Sequence, residues 1–223
     1  MILLLSKKIP DPIRSINATR AVSIALGLMA AFTGMVSGCF EILQGNLPAD
    51  FKISVIGPDF SMWEDPAYSA YTIIPNFLFT GIITLLISCL VAVWVVFFIR
   101  KKYGSLVMLV LSLAQFFTGG GIAIDVAIVS AIMATQISRP LSWWQKIAPV
   151  WMKNVLTLLW PWAFTLFILL SVAIFVLTIA GVNSPACQQV ILVVAGILFF
   201  PILFSVFGAF SRDLNRRGDP GTS

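Results

Sequence analysis

YGSLVMLVLSLAQFFTGGGIAIDVAIVSAIMATQIS, residues 103–138, decides how this chain threads. Its 36 residues carry one charge, Asp125. As a single straight helix they would run ~54 Å, against the ~30 Å of bilayer hydrocarbon. Gly119, Gly120 and Gly121 stand at the centre, each ~1 kcal/mol less favourable in a helix than alanine. The spacing therefore predicts a break there. It leaves segments at about 103–118 and 122–138, either two short spans or a re-entrant hairpin.

On either side the same apolar character continues. Ala21 to Phe40, Ile73 to Ile99 and Asn154 to Ser211 are uncharged, and the last run is long enough for two spans, with Gly181-Val182-Asn183-Ser184-Pro185 as the turn. Spans are thus expected at about 21–43, 73–99, 158–180 and 190–210. Composition agrees: 59% of the 223 residues are apolar and 10% charged, and mean hydropathy is +1.00. Soluble domains carry ~25% charged residues. The expected fold is an all-α, polytopic membrane bundle of four full spans plus a glycine-broken hairpin, six crossings or four plus a re-entrant pair. A single transmembrane domain, 21–211, lies between an N-terminal segment, 1–20, and a tail, 212–223.

Charge gives the orientation, because lysine and arginine accumulate on the cytoplasmic side of short loops. If the glycines turn the chain back, thirteen of the fourteen basic residues share one side and only Lys52 lies opposite. A single crossing would split them seven to seven. Both termini are therefore expected in the cytoplasm of a cell whose plasma or inner membrane holds the protein. That face has a net charge of +10 and the outer face −5. Anionic lipid is the expected partner of the basic face, and nucleic acid is not. An outer loop, 44–72, has turn-rich stretches at Gly57-Pro58-Asp59 and Glu64-Asp65-Pro66.

Few residues carry chemistry. Histidine is absent, and the sequence has no hydrolase triad, phosphate-binding loop or metal-ligand spacing. An enzyme, a cofactor and a metal are not expected. The sharpest feature is Asp125 beside Gly119, Gly120 and Gly121, since a broken helix exposes backbone groups that coordinate a solute while a nearby acid holds a cation or proton. A carboxylate at a helix start is also favourable through the helix dipole alone. Glu41 falls at a similar outer depth, so a Glu41/Asp125 pair would complete the candidate ion or solute site.

Ala30, Gly34 and Gly38, four apart, form one small-residue face where another helix can approach, within the chain or in a homo-oligomer. Val36-Ser37-Gly38-Cys39 resembles a lipoprotein processing site. The polytopic chain downstream argues against cleavage, and residues before Cys39 are expected to be retained. Cys39 and Cys187 fall on one side, where a disulfide is conceivable but not the expectation.

An inner elbow, 139–157, leads into the fifth span. Trp143, Trp144, Lys146, Trp151, Lys153, Trp160 and Trp162 are expected to anchor it in the interface, Trp144 and Trp151 sharing one face, with Pro149 interrupting the helix. Pro75 and Pro201 are expected to kink their spans. Because the spans contain few polar residues, the reading tilts to a non-transporting membrane subunit that binds a protein partner, ahead of a small permease with its path near Asp125 and Glu41.

The topology is tested by cysteine labelling after the native cysteines are replaced. Asp59→Cys is expected to react with an impermeant thiol reagent added outside intact cells, and Ser142→Cys is not. Labelling of Ser142→Cys from outside sinks the even-crossing arrangement.

Overall fold

A computed structural model describes residues 17–54, 69–121, 123–137, 139, 141–179 and 185–218. Seven α-helices make up most of it: α1 (Ala18–Leu43), α2 (Phe77–Val93), α3 (Gly104–Phe117), α4 (Ala123–Gln136), α5 (Ser142–Ile147), α6 (Val150–Ile179) and α7 (Pro185–Gly218). A π-helical turn, Trp94–Phe98, extends α2. Four helices are long and apolar enough to cross a membrane: α1, α2 with its π turn, α6 and α7. Helices of this length and composition suit a membrane-embedded protein. The turn stretches at 57–59 and 64–66, the 181–184 turn and residues 1–16 lie outside the described residues.

Helix α1 is the axis of the bundle, touching α2, α4, α6 and α7. Its start is fixed twice over. Asn17 accepts a hydrogen bond from the Arg20 amide at 2.9 Å, and the Asp213 carboxylate near the end of α7 accepts from the Ala18 and Thr19 amides, both at 3.0 Å. Three of the four amides a helix start leaves without partners are thereby satisfied, two of them by a carboxylate at the positive end of the helix dipole. Further along, Ser23 and Ser130 each donate a hydroxyl to the other's carbonyl, at 2.9 and 2.7 Å, tying α1 to α4. Gly27 gives Val95 of the π turn room to pack.

The 103–138 stretch is broken at the glycines. Helices α3 and α4 pack on each other, and between them φ is positive at Gly119 (104°) and Gly121 (65°), a region open to glycine at no steric cost. Each helix has 14 residues, ~21 Å of rise. Helix α3 leaves the end of α2 through a tight turn in which the Gly104 amide bonds Lys101.

Three features differ from the sequence reading. The fold is not purely helical. Lys52–Ser54 (β1) pairs antiparallel with Ser69–Tyr71 (β2), because the residues either side of the 55–68 loop lie side by side over the end of α1, where Ala49, Ile53 and Ala70 pack with Phe40 and Phe77. Pro75 kinks no helix: it lies before α2, whose first turn is capped by Asn76 at 3.2 Å. The elbow is shorter than expected. Pro149 separates α5 from α6, which starts at Val150 and runs on through Pro161; α7 likewise runs through Pro201.

The tryptophans divide accordingly. Trp144 is buried, stacked on Phe207 of α7 at 5.0 Å and donating to Ser211 at 3.0 Å. Trp160 is buried beneath the Arg212 guanidinium, 4.5 Å from its ring centroid. These two hold helices together rather than anchor an elbow. Trp143, Trp151 and Trp162 are exposed, as is Lys146, while Lys153 is half-buried. Trp144 and Trp151 share no face, because the break at Pro149 separates their helices. Trp151, Leu158, Trp162 and Leu169 form an exposed apolar stripe along α6, the surface a helix presents to lipid.

The Asp213 clamp makes α7 and α1 interdependent. Asp213→Ala is expected to destabilise the detergent-solubilised protein by about 1.5–3 kcal/mol, the worth of losing a hydrogen-bonded charge on two buried amides. Thermal unfolding beside the wild type measures it. A melting temperature that does not move means the clamp contributes nothing.

Candidate functional site

Glycine spacing on α1 builds the site. Gly34 and Gly38 are four apart, and Glu41 stands seven past the first and three past the second, so all three lie on one helical face. The face is turned inward and buried, together with Ala30 and Ser37. A Cβ on Gly38 would meet the Gly81 carbonyl of α2, and one on Gly34 would overlap the Gln115 side chain of α3 and the Ser88 hydroxyl of α2. The expected small-residue face is thus occupied within the chain.

Helix α2 contributes Thr80, Thr84 and Ser88, four apart and fully buried. With Ser112, Gln115 and Thr118 of the α3 end they form a polar seam between three apolar helices. Nearly all of it is internally bonded. Ser88 donates to the Thr84 carbonyl at 2.7 Å, Ser112 to Met108 at 2.7 Å, and the Thr80 and Thr72 hydroxyls meet at 3.1 Å. The Gln115 amide reaches across the bundle to the Ala30 carbonyl at 3.0 Å and the Ser88 hydroxyl at 3.1 Å. Its main-chain carbonyl accepts from the Thr118 hydroxyl at 3.2 Å and the Gly120 amide at 2.8 Å. One glutamine therefore shapes the glycine corner with its backbone and spans the seam with its side chain.

Glu41 is the exception. Its side chain is 0% exposed, and the carboxylate lies against Gly119, where a Cβ would overlap it. The Thr84 hydroxyl lies within reach of it but commits its proton to the Thr118 carbonyl. Neither carboxylate oxygen has a hydrogen-bond partner. Burying an ionised carboxylate without partners is among the most costly arrangements a protein can hold, and in a membrane span such a group marks a working site.

Over the corner lies a strap formed by β2 and the residues after it. The Gly119 amide donates to the Tyr71 carbonyl at 2.9 Å and the Ile73 amide to the Phe117 carbonyl at 3.0 Å, with Thr72 opposite Thr118. The strap is also held to the residue before β1, by the Thr72 amide on the Phe51 carbonyl at 2.9 Å.

The structure thus brings Glu41, Gly119 and Gly120 together, all buried, and Gly121 follows in the same buried turn. It does not bring Asp125 into them. Asp125 is exposed in the first turn of α4, where the helix dipole alone favours a carboxylate. The sequence signal for Glu41 was its register with the glycines, and that for α2 was the four-residue spacing of its hydroxyls. Cys39, just past Gly38, is an exposed free thiol, as is Cys89, and α1 continues unbroken through the Val36–Cys39 stretch. Among the described residues no group of three or more histidine, cysteine or acidic side chains is placed to hold a metal ion.

No protein-family model, no curated protein and no solved structure matches the chain.

Two positive-φ glycines allow a controlled comparison. Gly45 (φ 77°) has open space around its Cβ position, whereas Gly119 (φ 104°) has the Glu41 carboxylate. Gly45→Ala is expected to cost about 1–2 kcal/mol in backbone strain alone. Gly119→Ala is expected to cost at least ~1 kcal/mol more through overpacking. Equal losses in parallel thermal unfolding would mean that the carboxylate is not seated on the corner.

Proposed function

We propose that this is a non-enzymatic, multi-pass protein of the cell membrane, with both termini cytoplasmic, that carries a proton or monovalent cation past Glu41. The reading rests on one observation: a fully buried carboxylate on a membrane-spanning helix, with no hydrogen-bond partner, at a glycine-broken corner. An acid so costly to bury is retained for what it binds. The corner supports this, since a glycine without a side chain lets the backbone turn directly against the carboxylate and seat it there.

This reverses the preference drawn from the sequence. Scarce polar lining argued for a partner-binding subunit; the seam of hydroxyls and Gln115 behind Glu41 supplies lining that is collected from three helices. The subunit reading stands second, supported by the exposed stripe along α6, which lipid covers equally well. In the proposed orientation the inner face carries most of the lysine and arginine and takes anionic lipid as its neighbour.

Flux into proteoliposomes tests the assignment, with protons and common monovalent cations screened in turn. Glu41→Gln is expected to abolish coupled flux while leaving expression and detergent stability largely intact, because the amide keeps size but loses the titratable charge. Asp125→Asn is expected to change nothing. Wild-type vesicles indistinguishable from empty liposomes, or full flux with Glu41→Gln, would overturn the reading.

A further inference from the structure

The surroundings of Glu41 name its ligand and its door. A hard cation takes six or more oxygens, and here the oxygens near the carboxylate are already engaged. The Thr118 carbonyl accepts from Thr84, the Gln115 carbonyl from Thr118 and Gly120, the Tyr71 carbonyl from Gly119, and the Phe117 carbonyl from Ile73. The Gly119 backbone fills the space directly against the carboxylate. A proton needs one acceptor atom and no room.

Charged neighbours are likewise missing from every described element packed around it. Helix α2 with its π turn contributes only Cys89, which is exposed, and α3 and the corner contribute no titratable side chain. On the strap, Tyr71 has its ring against Phe51 and Phe116. Asp125 of α4 is exposed, as are Asp50 and Lys52 beside β1. Arg20 on α1, and Arg212, Asp213 and Arg216 on α7, lie at the opposite end of α1, and Lys153 lies in the first turn of α6. Among the described residues no fixed cation competes with a proton for Glu41.

Access is restricted on the other sides. Gly38 and Gly81 meet backbone to backbone, and Gln115 plugs the seam between α1, α2 and α3. Among the described residues the remaining side is the strap, and it is held to the corner by two main-chain hydrogen bonds flanking the Thr72/Thr118 pair and to α2 by the Thr72 hydroxyl on that of Thr80. Such a segment belongs to the easily opened end of a structure's stability range.

We infer that Glu41 binds and releases a proton, exchanged with water on the strap side when Tyr71–Ile73 lifts from Phe117–Gly119. The inference rests on the reading of Glu41 as the working group, but its test requires no flux. Because the hydrogen bonds run from the residues flanking Thr72 and Thr118, these two form a narrow antiparallel pair, with Cα atoms about 4.5 Å apart. That lies inside the range of about 4.4–6.8 Å a disulfide spans. A Thr72→Cys/Thr118→Cys double variant, with the three native cysteines replaced, therefore locks the strap.

The experiment is infrared difference spectroscopy of the full chain in phosphatidylcholine vesicles. A protonated-carboxyl stretch is expected in the wild type and absent from Glu41→Gln, and it is expected to titrate with bulk pH. After a jump into deuterated buffer, the band is expected to shift at least about tenfold more slowly in the oxidised double variant than in the reduced one. Ile73→Pro, which deletes the amide bonded to Phe117, is expected to accelerate the shift and serves if the disulfide does not form. Absence of any Glu41-dependent band at every pH overturns the proton site. Equal rates in the oxidised and reduced double variant, or an unchanged rate in Ile73→Pro, overturn the strap as its door. A vesicle that shows the band but moves no ion leaves the proton site standing and removes only the transport reading.

Discussion

The close approach of α1 and α2 at Gly38 and Gly81 is the constraint on which the rest depends. Each glycine occupies the space a Cβ on the other helix would need, so the two backbones touch. In a lipid environment no hydrophobic force draws apolar helices together, and small residues that allow dispersion contacts do that work instead. Once α1 and α2 are this near, the hydroxyls of Thr80, Thr84 and Ser88 have no access to solvent or lipid. They must bond within the protein, and the Gln115 amide completes the set from α3. A larger residue at Gly34 would displace that amide and loosen the corner that its carbonyl organises.

The two ends of α1 treat buried acids in opposite ways. At its start, Asp213 is almost fully buried but accepts two amide hydrogen bonds from a helix N-terminus, an arrangement that ties α7 to α1. Near its end, Glu41 is buried as deeply and has neither an amide nor a cation beside it. The difference is geometric. Asp213 faces the positive end of a helix, where free amides point outward, whereas the amide of Gly119, the residue the Glu41 carboxylate lies against, is already directed at the Tyr71 carbonyl. One acid is bonded into the helix start; the other lies against a corner whose Gly119 and Gly120 amides are spent on main-chain carbonyls.

The strap links this chemistry to the loop between α1 and α2. Its residues are mostly polar or aromatic, and it packs through a three-residue ladder and a small cluster of Ala49, Ile53 and Ala70. A weakly held cover on a tightly held site is the arrangement expected where an interior group must meet water without the bundle coming apart.

Local composition alone determined that the chain lies in a membrane, where its long helices run, and that residues 103–138 break at the glycines. These are properties of consecutive residues, because a span needs only an apolar run of sufficient length and a break needs only poor helix formers within it. The small-residue face of α1 was legible for the same reason. The tertiary structure decided which face of each helix meets which neighbour. It therefore decided that Glu41 is buried while Asp125 is exposed, that Trp144 and Trp160 pack inside while Trp151 and Trp162 face outward, and that the loop after α1 folds back as a strap over Gly119. Both acids stand near helix ends in otherwise apolar surroundings and look alike along the chain. What separates them is the close packing of α1 against α2 and the glycine corner, contacts between residues 40 to 80 positions apart in sequence, and no window of neighbouring residues records which of them will touch.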